Sequence, residues 1–211
     1  MPTYTDLPEE VRQYIQVVDD LYGHYLDSIV GFDSNARILS ESQEKLQHEL
    51  PPESDQDSCR FIYGDGDPTR EPSRVQHITT QGAFKSRNVR GGKNHVRAAQ
   101  LLVVLIFEFW ESDYRARIAM ALKLPNQNAL KIPILGDLRV LRQDVIHHGG
   151  IIRKETTRKL KVISGLRAGN ELVLDAQNVE HLVVAVKAAL DELMRETGLP
   201  DPEFRKTLQI Q

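Results

Sequence analysis

The chain has 211 residues, enough for one ordinary domain or one domain with an elaborate insertion. Hydrophobic residues make up 40% and charged residues 27%, so a core can form beneath a polar surface. A formal net charge of −3 and a sequence pI near 6.2 exclude a generally basic nucleic-acid coat and leave any such contact to a local patch. The single cysteine, Cys59, cannot close an internal disulfide, which suits a reducing cytoplasm. Met1–Glu10 is polar and acidic without an apolar targeting core, and the longest apolar run, Leu101–Phe107, is too short to span a bilayer. The expectation is a cytoplasmic protein with no membrane partner.

Pro8-Glu9-Glu10 suits the first turn of a helix. Val11, Ile15, Val18, Tyr22, Tyr25 and Ile29 follow at spacings of three and four, which makes one apolar helical face. Gly31 is a point where that helix can kink or break. Residues 34–50 continue as a more polar helix, with Ile38, Leu39, Leu46 and Leu50 inward and Pro51-Pro52 as the stop. Residues 51–95 cluster proline, glycine, serine and aspartate and read as a long loop or mobile insertion. From Pro72 to Phe107 no residue is acidic, whereas Lys85, Arg87, Arg90, Lys93 and Arg97 are basic. That stretch is either a solvated loop leading into a helix or an arm that contacts RNA.

Residues 96–122 predict the central core helix, apolar nearly all round its middle. Its second half carries the run Trp-Glu-x-x-Tyr-Arg, with Glu111 beside Trp110. A helix over 133–148 follows, with Ile134, Leu138, Leu141 and Val145 as an inward stripe. Leu160, Val162 and Ile163, a turn at 167–170, and Leu172, Val173 and Leu174 predict a small β-hairpin. Asp175 is the expected N-cap of a last helix, 176–196, which places Val179, Leu182, Val183, Val186, Leu190 and Leu193 on one face before Gly198-Leu199-Pro200. The reading is an all-α helical bundle of four to five helices in a single domain over 1–211, with a long loop insertion and a small β-hairpin.

The last turns of helix 133–148 hold Arg142 and His147, just before Gly149-Gly150. At about 100° per residue, Arg142 flanks the apolar stripe, His147 lies roughly 140° further round, and His148 projects close to the stripe. Arg90–His95 and Arg70–His77 have comparable spacings, but both fall in the 51–95 loop, where nothing fixes their geometry. Arg142 and His147 can meet through the length of the arginine or through a second copy of the helix. Their chemistry suits RNA cleavage without a metal. Histidine can take the proton from an attacking 2′-hydroxyl or give one to the leaving 5′-oxygen near neutral pH. A permanently charged arginine stabilises the phosphorane. His147 and His148 point about 100° apart with no carboxylate or cysteine at ligand spacing, and P-loop, H-E-x-x-H and G-x-G-x-x-G patterns are absent, so no metal or cofactor is expected.

Gly136–Gly150, with Leu-Arg-x-Leu-Arg, a polar residue and a histidine just before glycines, resembles the R-x4-6-H signature of the HEPN superfamily. The preceding Trp-Glu-x-x-Tyr-Arg helix is similar to that of some members, so the likeness covers residues 105–150. The resemblance implies a homodimer in which Arg142 and His147 form a composite RNase site with their counterparts across the interface. Gln143 takes a position that is often Asn, Asp or His in the family, and Asp144 and Glu111 would support the pair. A toxin or phage-defence role is compatible with it, as is a cognate antitoxin or regulatory protein. Members paired with a nucleotidyltransferase antitoxin often carry tyrosine where this chain has Gly149, so adenylylation there is not implied. The rival reading is a non-catalytic HEPN-like dimer that binds RNA or a protein partner.

Overall fold

A computed structural model describes residues 6–51, 53–65 and 74–197. The readings placed on residues 1–5, Pro52, Arg70, Pro72 and Gly198-Leu199-Pro200 lie outside the described residues. The described chain is mostly helical with one two-stranded antiparallel sheet, the all-α class expected from the sequence. It divides into two compact units: one takes the chain up to Tyr25 and from Ala99 onward, the other Leu26–Ala98.

In the first unit, the early part of α1 (Leu7–Gln47) buries Val11, Tyr14, Ile15 and Val18. The expected core helix is there as α3 (Lys93–Phe109), a π-helical turn (Trp110–Tyr114) and α4 (Arg115–Ala121). The π turn carries the Trp-Glu-x-x-Tyr run and buries both of its large aromatics. Tyr14 packs between them, with ring centroids 5.4 Å from Trp110 and 5.1 Å from Tyr114. Its hydroxyl donates to the Ile106 carbonyl at 2.9 Å, which satisfies the polar tip inside the core. Burial pushes the Tyr14 phenol well above its ordinary range.

Helix α5 (Pro133–His148) has proline in its first turn, where a missing N–H costs nothing, and ends at Gly149 in the left-handed region (φ 62°, ψ 21°). Gly150 is also left-handed, at φ 88°. A Cβ there would come within 2.6 Å of the buried Gln100 amide, so only glycine lets the chain turn back at this point. A short α6 (Lys154–Lys159) precedes α7 (Ala176–Glu196), whose N-cap Asp175 accepts from the Asn178 N–H at 2.7 Å.

The second unit overturns the reading of 51–95 as a plain loop. It holds β1 (Arg60–Asp65) and β2 (Arg74–Thr80), paired antiparallel with Ile62 opposite Ile78, followed by α2 (Gln81–Asn88). Phe61 stacks on Phe84 at 4.1 Å, which gives the sheet a helix to cover one face. The expected hairpin over 160–174 does not form: residues 160–163 contain no strand, and the pairing made there is an isolated bridge between Ile151 and Glu171. The cause is Asp137, whose carboxylate takes the backbone N–H groups of Lys161, Val162 and Ile163.

Three burial expectations also change. Helix α1 runs through Gly31 unbroken, and its later part buries Ala36 and Gln43 while Ile38, Leu46 and Leu50 are exposed. Gln43 is held by polar contacts, donating to Asp57 and Gln81 and accepting from the Lys85 ammonium. On α7, Met194 rather than Leu193 completes the buried face. On α3 the middle is not covered all round: Leu101, Leu105 and Phe109 remain exposed.

Candidate active site

Arg142 and His147 stand on the last two turns of α5, in the first unit. Arg142 Nε donates to a Glu108 carboxylate oxygen at 2.7 Å, so α3 fixes where its guanidinium lies. The arginine side chain keeps 29% of its surface open, and half of Glu108 faces solvent. His147 is exposed and, among the described residues, has no hydrogen-bond or ion-pair partner. His148 is exposed as well, contrary to the inward direction expected for it. The helix's buried stripe ends at Leu141 and Asp144, Val145 is only half-buried, and Ile146, His147 and His148 are exposed among the described residues.

The supporting residues separate in the structure. Glu111 faces its own helix and holds Arg115 at 2.8 and 3.1 Å, with Arg115 also donating to the Leu130 carbonyl. Gln143 is half-buried and lines a cleft on one flank of α5. Asp144 is fully buried and structural. It accepts from Arg153 through Nε at 2.5 Å and through the backbone N–H at 3.1 Å, which fastens the chain beyond Gly150 onto α5. Burial pushes this carboxyl up, but the neighbouring Thr156 hydroxyl and the two Arg153 donors outweigh it and hold the group below its ordinary value.

A lowered carboxyl stabilises the fold above the unfolded value of about 3.9 and loses that contribution as pH falls through its folded value. Asp144→Asn is therefore expected to cost about 2–3 kcal/mol at neutral pH, with the difference from wild type shrinking below about pH 4. Urea midpoints measured from pH 7 to pH 2 check it; an unchanging difference across that range contradicts the assignment.

Lys85, Arg87, Arg90, Lys93 and Arg97 all belong to the second unit. Two of them are engaged in its packing. Lys85 pairs with Asp57 at 2.6 Å, and Arg87 lies over the Phe84 and Tyr63 rings while donating to the Tyr63 hydroxyl at 2.8 Å. Arg90 and Lys93 are exposed. Arg90–His95, the alternative pair, is divided between a turn and α3, and His95 contacts Asp33 at 3.1 Å and the Asn88 carbonyl at 3.2 Å.

Sequence reasoning missed the surroundings of Arg142. Leu101, Leu105 and Phe109 are 55%, 37% and 41% exposed and recur every fourth residue along one side of α3. Glu108, Arg142's partner, stands next to Phe109 on that helix, and Ile146, 50% exposed, follows Arg142 by one turn on α5. The i, i+4, i+8 spacing of the stripe was visible, but an apolar run of this density does not show which face remains uncovered.

Among the described residues no three His, Cys, Asp or Glu side chains are grouped to hold a metal ion, and no helix is long and apolar enough to cross a membrane. No family model, curated protein or solved structure matches the chain.

Proposed function

We propose that the chain is a metal-independent endoribonuclease of HEPN type, acting as a homodimer whose α5 helices meet to form a composite site. The observation that carries this reading is the setting of Arg142: a partly open guanidinium nearly two turns from the end of α5, held by Glu108 on the helix that exposes Leu105 and Phe109, with exposed Ile146 one turn further along α5. An apolar surface beside a cation suits a two-fold contact that would bring a second Arg142–His147 pair alongside the first. In the reaction, one His147 removes the 2′-hydroxyl proton as that oxygen attacks the adjacent phosphorus. A second protonates the departing 5′-oxygen, and Arg142 balances the charge that builds on the phosphorane. RNA is the substrate, a toxin or phage-defence role fits such an activity, and a neutralising antitoxin or regulatory protein is the corresponding partner.

The decisive experiment incubates single-stranded RNA with the protein in EDTA. Cleavage giving 2′,3′-cyclic phosphate and 5′-hydroxyl ends is expected, with resistance where the cleaved nucleotide lacks its 2′-hydroxyl. In parallel, Leu105→Glu with Phe109→Glu should convert a micromolar dimer to monomer in sedimentation and abolish cutting. Cleavage that needs a divalent ion, or a monomeric variant that still cuts, defeats the proposal. One observation favours the second reading, a dimer that binds RNA or a protein without cutting: Glu108 already occupies Arg142 and offsets the charge the phosphorane requires. Wild-type protein that binds RNA and never cleaves it selects that reading.

A further inference from the structure

On one flank of α5 lies a cleft of about 520 Å³, within the range of small-molecule sites. Its basic residues come from separate segments: Arg115 from α4, Lys131 from the connection before α5, Arg139 from α5 itself, and Lys159 and Lys161 from the end of α6 and just beyond. On a chain with a formal charge of −3, such convergence concentrates positive potential at one place. Among the described residues, Lys131, Arg139, Lys159 and Lys161 have no carboxylate within ion-pair distance. The lining carboxylate, Asp137, is buried and already committed to the backbone N–H groups of 161–163. Arg115 is shared with Glu111, yet its shielded Nε–H has no acceptor among the described residues.

The remainder of the wall is of a different kind. Pro133 and Val140 supply open apolar surface, Trp110 and Leu135 line the cleft from buried positions, and Gln143 supplies both an amide donor and an amide acceptor. Cations paired with an apolar floor and one hydrogen-bonding amide suit a ligand that is itself divided, anionic at one end and flat and weakly polar at the other. We propose that this cleft binds a nucleoside phosphate, either as a free nucleotide or as one unit of an RNA strand. The lysines and arginines take the phosphate oxygens, the apolar floor takes the base or sugar, and the Gln143 amide reads a polar edge. The inference concerns binding alone and does not depend on Arg142 and His147 cutting RNA.

Trp110 is the chain's one tryptophan and lines the cleft, so its fluorescence reports occupancy. The full-length protein is titrated at low salt with inorganic phosphate, with ADP, and with a 2′-O-methyl hexanucleotide that cannot be cleaved through its 2′-oxygen. Calorimetry on the same samples guards against a silent fluorophore. Saturable binding of ADP or of the hexanucleotide is expected, at least tenfold tighter than phosphate; whichever of the two binds more tightly identifies the source of the phosphate. Arg139→Glu with Lys161→Glu, both at exposed positions, should weaken that binding at least tenfold with an unchanged circular dichroism spectrum. Arg37→Gln with Lys45→Gln, exposed on the later part of α1 and outside the cleft lining, should leave it within twofold. Phosphate binding as tightly as ADP and the hexanucleotide, no saturation by either nucleotide probe, or indifference to the Arg139/Lys161 reversal overturns the proposal.

Discussion

His147→Ala is expected to lower RNA cleavage by about 10²–10⁴-fold while leaving the thermal midpoint within about 1 °C, because the residue is a proton carrier and bears no packing. The structural basis for the second half of that statement is direct: His147 is exposed and makes no polar contact among the described residues. Arg142→Ala should cost about 10²–10³-fold, the scale of losing one preorganised charge at a developing anion. Arg142→Lys should recover only a small part, since an ammonium cannot give two parallel N–H groups to a phosphate. His148→Ala serves as the internal control. It is equally exposed and one residue away, but points about 100° from His147, so its loss should change the rate less than about threefold. Rates are measured on a fluorescent single-stranded RNA in EDTA, at saturating enzyme, with dimer content checked by sedimentation. Equal losses for His147→Ala and His148→Ala would mean that the end of the helix matters as surface, and the proton-transfer role would then be withdrawn.

What the sequence disclosed and what it concealed divide along the range of the interactions involved. Helix α5 and helix α7 have the boundaries expected of them, because the signals that start and stop them lie within a few residues: Pro133, Gly149 and the Asp175 cap. The strands Arg60–Asp65 and Arg74–Thr80 were hidden by a turn-rich composition and by their two-sidedness. Ile62, Val75 and Ile78 are exposed, while Phe61 is held by the neighbouring Tyr63 ring and by stacking on Phe84, which lies on the helix that follows the sheet. The hairpin expected from Leu160, Val162 and Ile163 failed for a similar reason, since a carboxylate 24 residues earlier claimed the N–H groups a ladder would have used. At the candidate site, the Arg142–His147 spacing could be read directly. The Glu108 contact could not, because it spans 34 residues and depends on how α3 lies against α5.

The largest stability effect belongs to that same carboxylate. Asp137→Ala is expected to destabilise the protein by about 3–5 kcal/mol, and Asp137→Asn by somewhat less. Asp137 is 1% exposed, and its oxygens accept from Lys161 at 2.9 and 3.0 Å, from Val162 at 2.7 Å and from Ile163 at 2.8 Å. Successive N–H groups closing on one carboxylate form an anion nest, with each bond strengthened by the charge. Alanine leaves those donors facing a vacated hole in the protein. Asparagine keeps one acceptor but turns an NH₂ towards donors, so it cannot restore the arrangement. Urea unfolding gives the size of the loss, and amide hydrogen exchange gives its place: protection at 161–163 should disappear first and at the smallest denaturant concentrations. A loss below about 1 kcal/mol with protection retained would show that water replaces the carboxylate without penalty. Lys161 is also a wall of the basic cleft, so the same substitution should loosen that wall and weaken nucleotide binding even where the α-helical signal is intact. Binding that survives while 161–163 exchange freely would separate the anion site from the segment that Asp137 pins.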